Sequence, residues 1–296
     1  MSSEARSGQR VQMPRWMHRP VRCGPELQKV EEVLAGERLN TVCVGAKCPN
    51  RGECYSAGTA TFMIMGARCT RGCAFCAVPT GGVEALDPAE PGRVAKAAAD
   101  LGLRHVVVTS VTRDDLPDGG AGHFAATVEA VRRELPGATV EVLVPDFGGR
   151  VEDVDTVIGA RPDVFNHNVE TVRRLYAEVR PQAEYERTLA VLERSSTAGL
   201  ATKSGFMVGL GEMIEEVDDL LGDLLVAGCR LVTAGQYLRP SGDNTPVARY
   251  WEPGEFEGLE TRARGMGFEA VASGPLVRSS YFAHEMADVA LGRGVQ

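Results

Sequence analysis

Six short runs of β-branched and apolar residues, alternating with helix-like stretches, predict an α/β chain of consecutive β-α units around a parallel sheet. Six units fall short of the eight that close a barrel. The expected architecture is therefore a partial (β/α)6 barrel of the TIM type, open on one side with room for a large substrate. The chain has 296 residues, 44% of them apolar, and no repeat, low-complexity tract or Pro/Gly linker divides it. One barrel core needs ~250 residues, so the length suffices.

Residues 1–24 carry Arg6, Arg10, Arg15, Arg19 and Arg22 but no apolar stretch, and read as a polar, mobile arm rather than a secretory signal. An extension follows over 25–60. The expected barrel core, 61–272, begins with a strand from Thr61 to Met65 and continues with strands from Arg104 to Ser110, Thr139 to Val144 and Asp163 to Asn166. Two further strands are expected from Lys203 to Val208 and from Leu231 to Tyr237. Between them lie helix candidates: Pro88 to Leu101, Gly122 to Leu135, Val151 to Ile158, Glu184 to Ala198 and Glu212 to Ala227. Asp87 is the expected cap of the first, with Pro91 in its first turn. Residues 273–296 form a C-terminal extension.

Thirty-two basic against forty acidic residues give a net charge of -8, so no global field draws nucleic acid or an anionic membrane. Apolar runs such as Val106 to Val108 are far below the ~20 residues of a membrane span. With no export signal, the expected compartment is the reducing cytoplasm, where eight cysteines are not explained by disulfides.

Six of the eight cysteines lie within thirty-four residues, in two groups of three. Cys43, Cys48 and Cys54 have the spacing CxxxxCxxxxxC, and Cys69, Cys73 and Cys76 the spacing CxxxCxxC. Clustered thiolates in a cytosolic chain hold metal, and short runs of this kind ligate iron-sulfur clusters. Structural zinc is the alternative. It needs four ligands per site, usually as paired CxxC units, and only Cys73 and Cys76 form such a pair. A trio instead leaves one iron of a 4Fe-4S cubane without a protein ligand, free to bind another molecule. Cys229 opens an apolar strand and reads as a buried small hydrophobe. The histidines are scattered, with no nucleophile motif beside them, so acid-base or acyl-enzyme chemistry is unsupported.

CxxxCxxC with Phe75 before its last cysteine resembles the signature of the radical SAM superfamily, and the second trio upstream makes the chain similar to the lipoyl synthases. Family-like strings run through Thr61–Gly66, Thr109–Ala121, Val144–Phe147, Phe165–Thr171, Gly205–Glu212, Gly235–Ser241 and Gly274–Tyr281, roughly residues 40 to 285. Met213, where a hydroxyl residue is usual, and Phe206, where a smaller aliphatic is common, depart from the pattern.

The resemblance implies a radical SAM fold whose N- and C-terminal extensions hold an auxiliary cluster. It implies two 4Fe-4S clusters, one on Cys69, Cys73 and Cys76 that reduces S-adenosyl-L-methionine, the other on Cys43, Cys48, Cys54 and a serine of Arg278-Ser279-Ser280-Tyr281. Ser280 is the assigned ligand and Ser279 the fallback. Serine oxygen suits a soft cluster less well than thiolate, so the Ser280 bond should open first when sulfur leaves, which gives Ser280 its catalytic role. Thr109, Ser110, Asn168, Glu170 and Gln236, at the carboxyl ends of strands where barrel sites lie, are the expected cofactor-binding residues. Arg113, Asp114, Asp115 and Asp118 fit either a ligand site or a solvated turn. The glycines of Gly209-Leu210-Gly211 fit a close approach to the cofactor or simply the turn. The implied activity is sulfur insertion at carbons 6 and 8 of a protein-bound octanoyl-lysine. Its partners would be an octanoylated lipoyl carrier protein or lipoyl domain, an electron donor such as ferredoxin or flavodoxin, and an iron-sulfur carrier.

Overall fold

The computed structural model describes residues 12–18, 24–57 and 59–293. Cys23 and most of the expected arm lie outside them; within the arm, Arg15–Met17 forms a 3-10 turn with Met17 buried. One sheet runs in sequence order through β1 (Asn40–Thr41), β2 (Thr61–Ile64), β3 (His105–Ser110), β4 (Thr139–Leu143), β5 (Val164–Asn166), β6 (Ala201–Val208), β7 (Leu231–Gln236) and β8 (Ala270–Gly274). Strands β2 to β8 are parallel, β1 is antiparallel to β2, and the sheet does not close. The six expected strands are β2 to β7. The count of six is corrected by β1, only two residues long, and by β8, whose Ala-Val-Ala-Ser-Gly has too little branched bulk to read as a strand.

The helices are α1 (Pro25–Gly36), α2 (Val42–Gly45), α3 (Arg51–Ser56), α4 (Glu90–Asp100), α5 (Ala121–Glu134), α6 (Val151–Gly159), α7 (Tyr176–Val179), α8 (Tyr185–Thr197), α9 (Ile214–Val226), α10 (Pro253–Met266) and α11 (Ala283–Ala290). The five expected ones are α4, α5, α6, α8 and α9. Asp87 does not cap α4, whose cap position is Ala89; its carboxylate instead accepts the Ala89 amide at 2.9 Å and pairs with Arg93. No helix among the described residues is long and apolar enough to cross a membrane.

Strand register sorts the side chains. Thr61, Val107, Glu141, Val164 and Ala201 form one cross-strand row, and Met63, Thr109, Leu143, Asn166, Lys203, Leu231 and Ala270 the next row on the same face. Because strand side chains alternate, this is the inner face, while Phe62, Val106, Val108, Val140, Val142 and Phe165 point outward into the core shared with α4 to α6. The lower end of the barrel is plugged. Met286 and Ala287 of α11 pack with Val164, Ala201, Leu231 and Ala270, and α11 touches both β3 and the edge strand β8.

Met213 occupies the cap position of α9, where its exposed side chain bonds no helix amide and only Glu216 reaches back to the Met213 N–H at 2.8 Å. A hydroxyl there would accept the orphan amide of the first turn. Met213→Ser is expected to stabilise the fold by about 1 kcal/mol, seen as a raised urea midpoint with unchanged m-value.

Candidate active site

A cavity of about 510 Å³ opens at the carboxyl ends of the strands, and all six clustered cysteines line it. Its barrel wall is the upper inner face: Thr61, Met63, Thr109, Leu143, Met207, Thr233 and Gly235.

The CxxxCxxC loop leaves β2 through Met65 and Gly66, both at positive φ, and is clamped from several sides. Cys69 N–H donates to the Pro79 carbonyl and Gly81 N–H to the Cys69 carbonyl, both at 2.9 Å. The Ala74 amide donates to Val179 O, and Asn244 Nδ2 donates to the carbonyls of Ala74 and Cys76. Three backbone amides point at sulfur: Arg71 and Thr112 at Cys69, at 3.4 and 3.3 Å, and Val78 at Cys76, at 3.4 Å. Amides so placed favour the thiolate form that a metal binds. Between the first two cysteines, Arg71 is buried, bidentate on Asp114 and 2.8 Å from Asp146. Burial works against the Asp146 charge, but Arg71 outweighs it and holds this carboxyl well below its usual range.

The first trio sits on short helices. Cys43 is in α2, whose cap Thr41 accepts the Val44 amide at 3.4 Å and bonds the Tyr55 hydroxyl at 2.7 Å. Cys54 is in α3, and Cys48 hangs from a turn closed by its own N–H to Cys43 O at 3.1 Å. Burial pushes the Cys43 thiol up to about 11, where a hydrogen bond at Thr61 opposes it and Cys48 adds to it. Burial, then the charges of Cys43 and Cys48, push Cys54 up to about 12. In the second trio burial pushes Cys76 up to about 11 and also raises Cys73, where Arg180 opposes the shift. Burial thus favours the protonated thiol at Cys43, Cys54, Cys73 and Cys76, so metal must displace those protons to bind. Among the described residues no three such side chains close on a point where one ion would sit; the thiols face a volume instead.

The C-terminal segment reaches the first trio across the whole chain. Asn50 Nδ2 donates to Leu276 O at 2.6 Å, and the Tyr281 hydroxyl donates to Glu53 Oε2 at 3.0 Å. Asn50 and Glu53 flank Cys48 and Cys54, so Ser279 and Ser280 are held beside that trio, on the cavity wall. The two serines differ. Ser279 Oγ is bound to Asn168, whereas the Ser280 hydroxyl has no hydrogen bond within the described residues.

Of the expected cofactor-binding residues, Thr109, Ser110, Asn168 and Glu170 line the cavity. The Ser110 hydroxyl is buried with no partner among the described residues, and Thr109 Oγ1 donates to Leu143 O at 3.0 Å. Burial raises the Glu170 carboxyl despite Arg180 and the Asn168 amide, 3.1 Å away. Gln236 is not brought into this set. Its inward neighbour is Gly235, so its amide points outward and is spent on Tyr237 O, Arg249 O and the Trp251 N–H. Asp115 and Asp118 make turn contacts, Asp118 accepting the amides of Gly120 and Gly122, whereas Arg113 is buried, chelating Asp115 and donating to Met65 O at 3.2 Å. Gly209 and Gly211 make a left-handed turn held by Glu212, which accepts the amides of Gly209 and Leu210. His167 lines the cavity but burial lowers it to about 4 and both ring nitrogens are bonded, to Val144 O and Thr188 Oγ1. Cys229 is buried, as expected.

Sequence reasoning missed Arg180 and Arg278, both on the cavity wall. Arg180 donates to the Asn168 carbonyl at 2.9 Å and to the Tyr176 hydroxyl at 2.7 Å, and Arg278 feels the charges of Cys48 and Glu170. Arg180 sits in no pattern that marks a site, and Arg278, although it opens the Arg278-Ser279-Ser280-Tyr281 string, has no role of its own in the sequence reading.

Residues 63–224 match the family described as the Radical SAM superfamily. The fold is similar to that of methylornithine synthase (PylB), with a TM-score of 0.56 and 15% identity over 90% of this chain and 76% of that one. The maturase HydG gives 0.56 and 13% over 89% and 66%. A lipoyl synthase of Rubrobacter xylanophilus is 54% identical over 93% of this chain and 86% of its own length. One from Caldanaerobacter subterraneus is 54% identical over 96% and 99%. Identity at that level, across nearly the full length of both partners, makes this chain a member of the lipoyl synthase family, within the radical SAM superfamily.

Proposed function

We propose that this chain inserts two sulfur atoms, at carbons 6 and 8, into an octanoyl group carried on a lysine of a lipoyl carrier protein or lipoyl domain. As a radical SAM family member it uses a 4Fe-4S cluster and S-adenosylmethionine. The observation that carries the reading is that two trios of thiols open on one cavity that Ser280 also lines, in a segment tied through Leu276 and Tyr281 to Asn50 and Glu53 beside the first trio.

The donor set fits. Cys69, Cys73 and Cys76 would hold one cluster through three irons, leaving the fourth for adenosylmethionine, and Cys43, Cys48, Cys54 and Ser280 would hold a second. Bound there, these groups supply a radical able to take hydrogen from an unactivated carbon, and the sulfide that replaces it. The chain's own residues bind and position. Asn168, Glu170, Thr109 and Ser110 offer amide, carboxylate and hydroxyl groups to the adenosylmethionine. Arg180 fixes the Asn168 carbonyl, and Met63, Leu143, Val144 and Met207 form an apolar wall for the acyl chain. No general base is required, since the attacked carbons carry no acidic proton. An electron donor such as ferredoxin or flavodoxin and an iron-sulfur carrier complete the cycle.

The test is one anaerobic experiment. Reconstituted protein should carry about eight irons. With reductant, adenosylmethionine and an octanoyl-lysyl peptide it should release 5′-deoxyadenosine and give a product heavier by two sulfurs as the dithiol, which loses two hydrogens only when later oxidation closes the dithiolane. Normal thiolation by a chain that holds only one cluster overturns the reading, as does a zinc-only protein.

A further inference from the structure

We infer that Ser279 is a positioning residue that couples the cofactor-binding loop to the segment carrying Ser280, through its hydrogen bonds with Asn168. The inference rests on the proposed roles of Asn168, Glu170 and Ser280.

The two residues are 111 positions apart. Asn168 Nδ2 donates to Ser279 Oγ at 2.7 Å, and the hydroxyl lies 2.9 Å from Asn168 Oδ1, to which it donates. The same Nδ2 donates to Glu170 Oε1 at 3.1 Å. One side-chain amide thus joins a cavity carboxylate to the residue before Ser280. With both its N–H groups spent, the amide cannot rotate, and Oδ1 keeps a second lone pair for a cationic donor such as the adenosylmethionine ammonium.

Two glycines make this contact possible. A Cβ at Gly205 would lie 2.5 Å from Thr233 Oγ1, 2.9 Å from Asn168 Oδ1 and 3.0 Å from Ser279 Oγ. One at Gly235 would lie 2.1 Å from Val277 O and 3.0 Å from Arg278 Nη1. Gly205 and Gly235 face inward on the adjacent strands β6 and β7, and neither has positive φ, so each is needed for space and not for a turn. Together they open a slot in the barrel wall, and residues 277–279 lie in it. Ser280 has no hydrogen bond of its own within the described residues. Its position is inherited from Ser279 on one side and from the Tyr281 to Glu53 bond on the other.

Coupling of this kind is reciprocal: if Ser279 holds the Asn168 amide ready for adenosylmethionine, bound adenosylmethionine must in turn hold the 277–281 segment in place. In reconstituted protein without reductant, adenosylmethionine should slow amide hydrogen exchange across 277–281. Ser279→Ala should weaken adenosylmethionine binding about fivefold, the worth of one hydrogen bond, and abolish that slowing. Ser279→Thr, which keeps the hydroxyl, should restore both. Gly205→Ala, which wedges the contact without removing either partner, should behave as Ser279→Ala does. If Asn168→Ala binds adenosylmethionine as tightly as the native chain, the cofactor reading of Asn168 fails and takes the coupling with it. If Asn168→Ala binds weakly while Ser279→Ala and Gly205→Ala keep native affinity and native exchange, only the coupling is overturned.

Discussion

Replacing Cys73 by alanine is expected to reduce 5′-deoxyadenosine release to background, while replacing Ser280 by alanine leaves that release close to native and stops sulfur transfer. The contrast follows from where the two side chains sit. Cys73 is the central thiol of a clamped loop, its neighbours fixed by amides aimed at Cys69 and Cys76 and by the Arg71 ion pairs. Two remaining thiols cannot hold the geometry that leaves a single iron open, so chemistry stops before substrate is touched. Ser280 belongs to the other trio, through a segment pinned by Asn50 and Glu53. A serine oxygen is the hard, poorly matched donor in a set of soft thiolates, and its loss leaves the three sulfur ligands in place. Quantifying deoxyadenosine and product mass in the same anaerobic reaction separates the two steps. Equal loss of both in Ser280→Ala would remove the serine from the sulfur-donating role. Equal retention of both in Cys73→Ala would remove the second trio from cofactor cleavage.

The cysteine trios were readable in sequence because their chemistry is local: ligands to one cluster crowd into one loop, and spacing alone sets them apart. Strands β2 to β7 were readable for a similar reason, each carrying β-branched or aromatic residues, although in β6 these (Thr202, Phe206 and Val208) lie on the outer face alone. What escaped depends on register or on distant chain. Gln236 and Thr109 both end strands, yet Thr109 shares the inward row with Met63 and Leu143 while Gln236 follows the inward Gly235 and points away. A single residue of phase decides the matter, and strand-end position does not reveal it. The slot built by Gly205 and Gly235 is likewise invisible in sequence, because the atoms that need the space belong to residues 168 and 277–279. Arg71 stood inside the motif, but its function depends on Asp114 and Asp146, which come together only when β3 and β4 are side by side. Helix α11 gave no sign of its place as the barrel plug, since a short amphipathic helix reads the same wherever it docks.

Lys203→Met should destabilise the fold by about 3–5 kcal/mol, because it strands a carboxylate in the barrel floor. Lys203 is fully buried on β6 and lies 2.9 and 3.2 Å from the two oxygens of Glu141, itself buried on β4. The pair spans β5, whose Asn166 Nδ2 donates to Glu141 at 3.0 Å, and His105 Nε2 stands 3.5 Å from the same carboxylate. Burial works against ionising Glu141, but the Lys203 charge, supported by His105, outweighs it and holds the carboxyl below its usual range. In the native chain this group therefore adds stability above its unfolded pKa and loses it as pH falls through the lower folded pKa. Remove Lys203 and burial dominates, so the folded pKa of Glu141 rises above the unfolded value and the sign reverses. Between those two values the variant binds more protons folded than unfolded, and its stability must increase as pH falls. Urea unfolding of matched preparations should show the largest gap from native near pH 8 and a narrower one near pH 5. Adding Glu141→Leu should recover much of the loss, since an uncharged pair leaves no orphan charge behind. A constant gap across that pH range, or a double variant no better than Lys203→Met alone, would mean that the cost comes from lost packing under α11 and not from the buried charge.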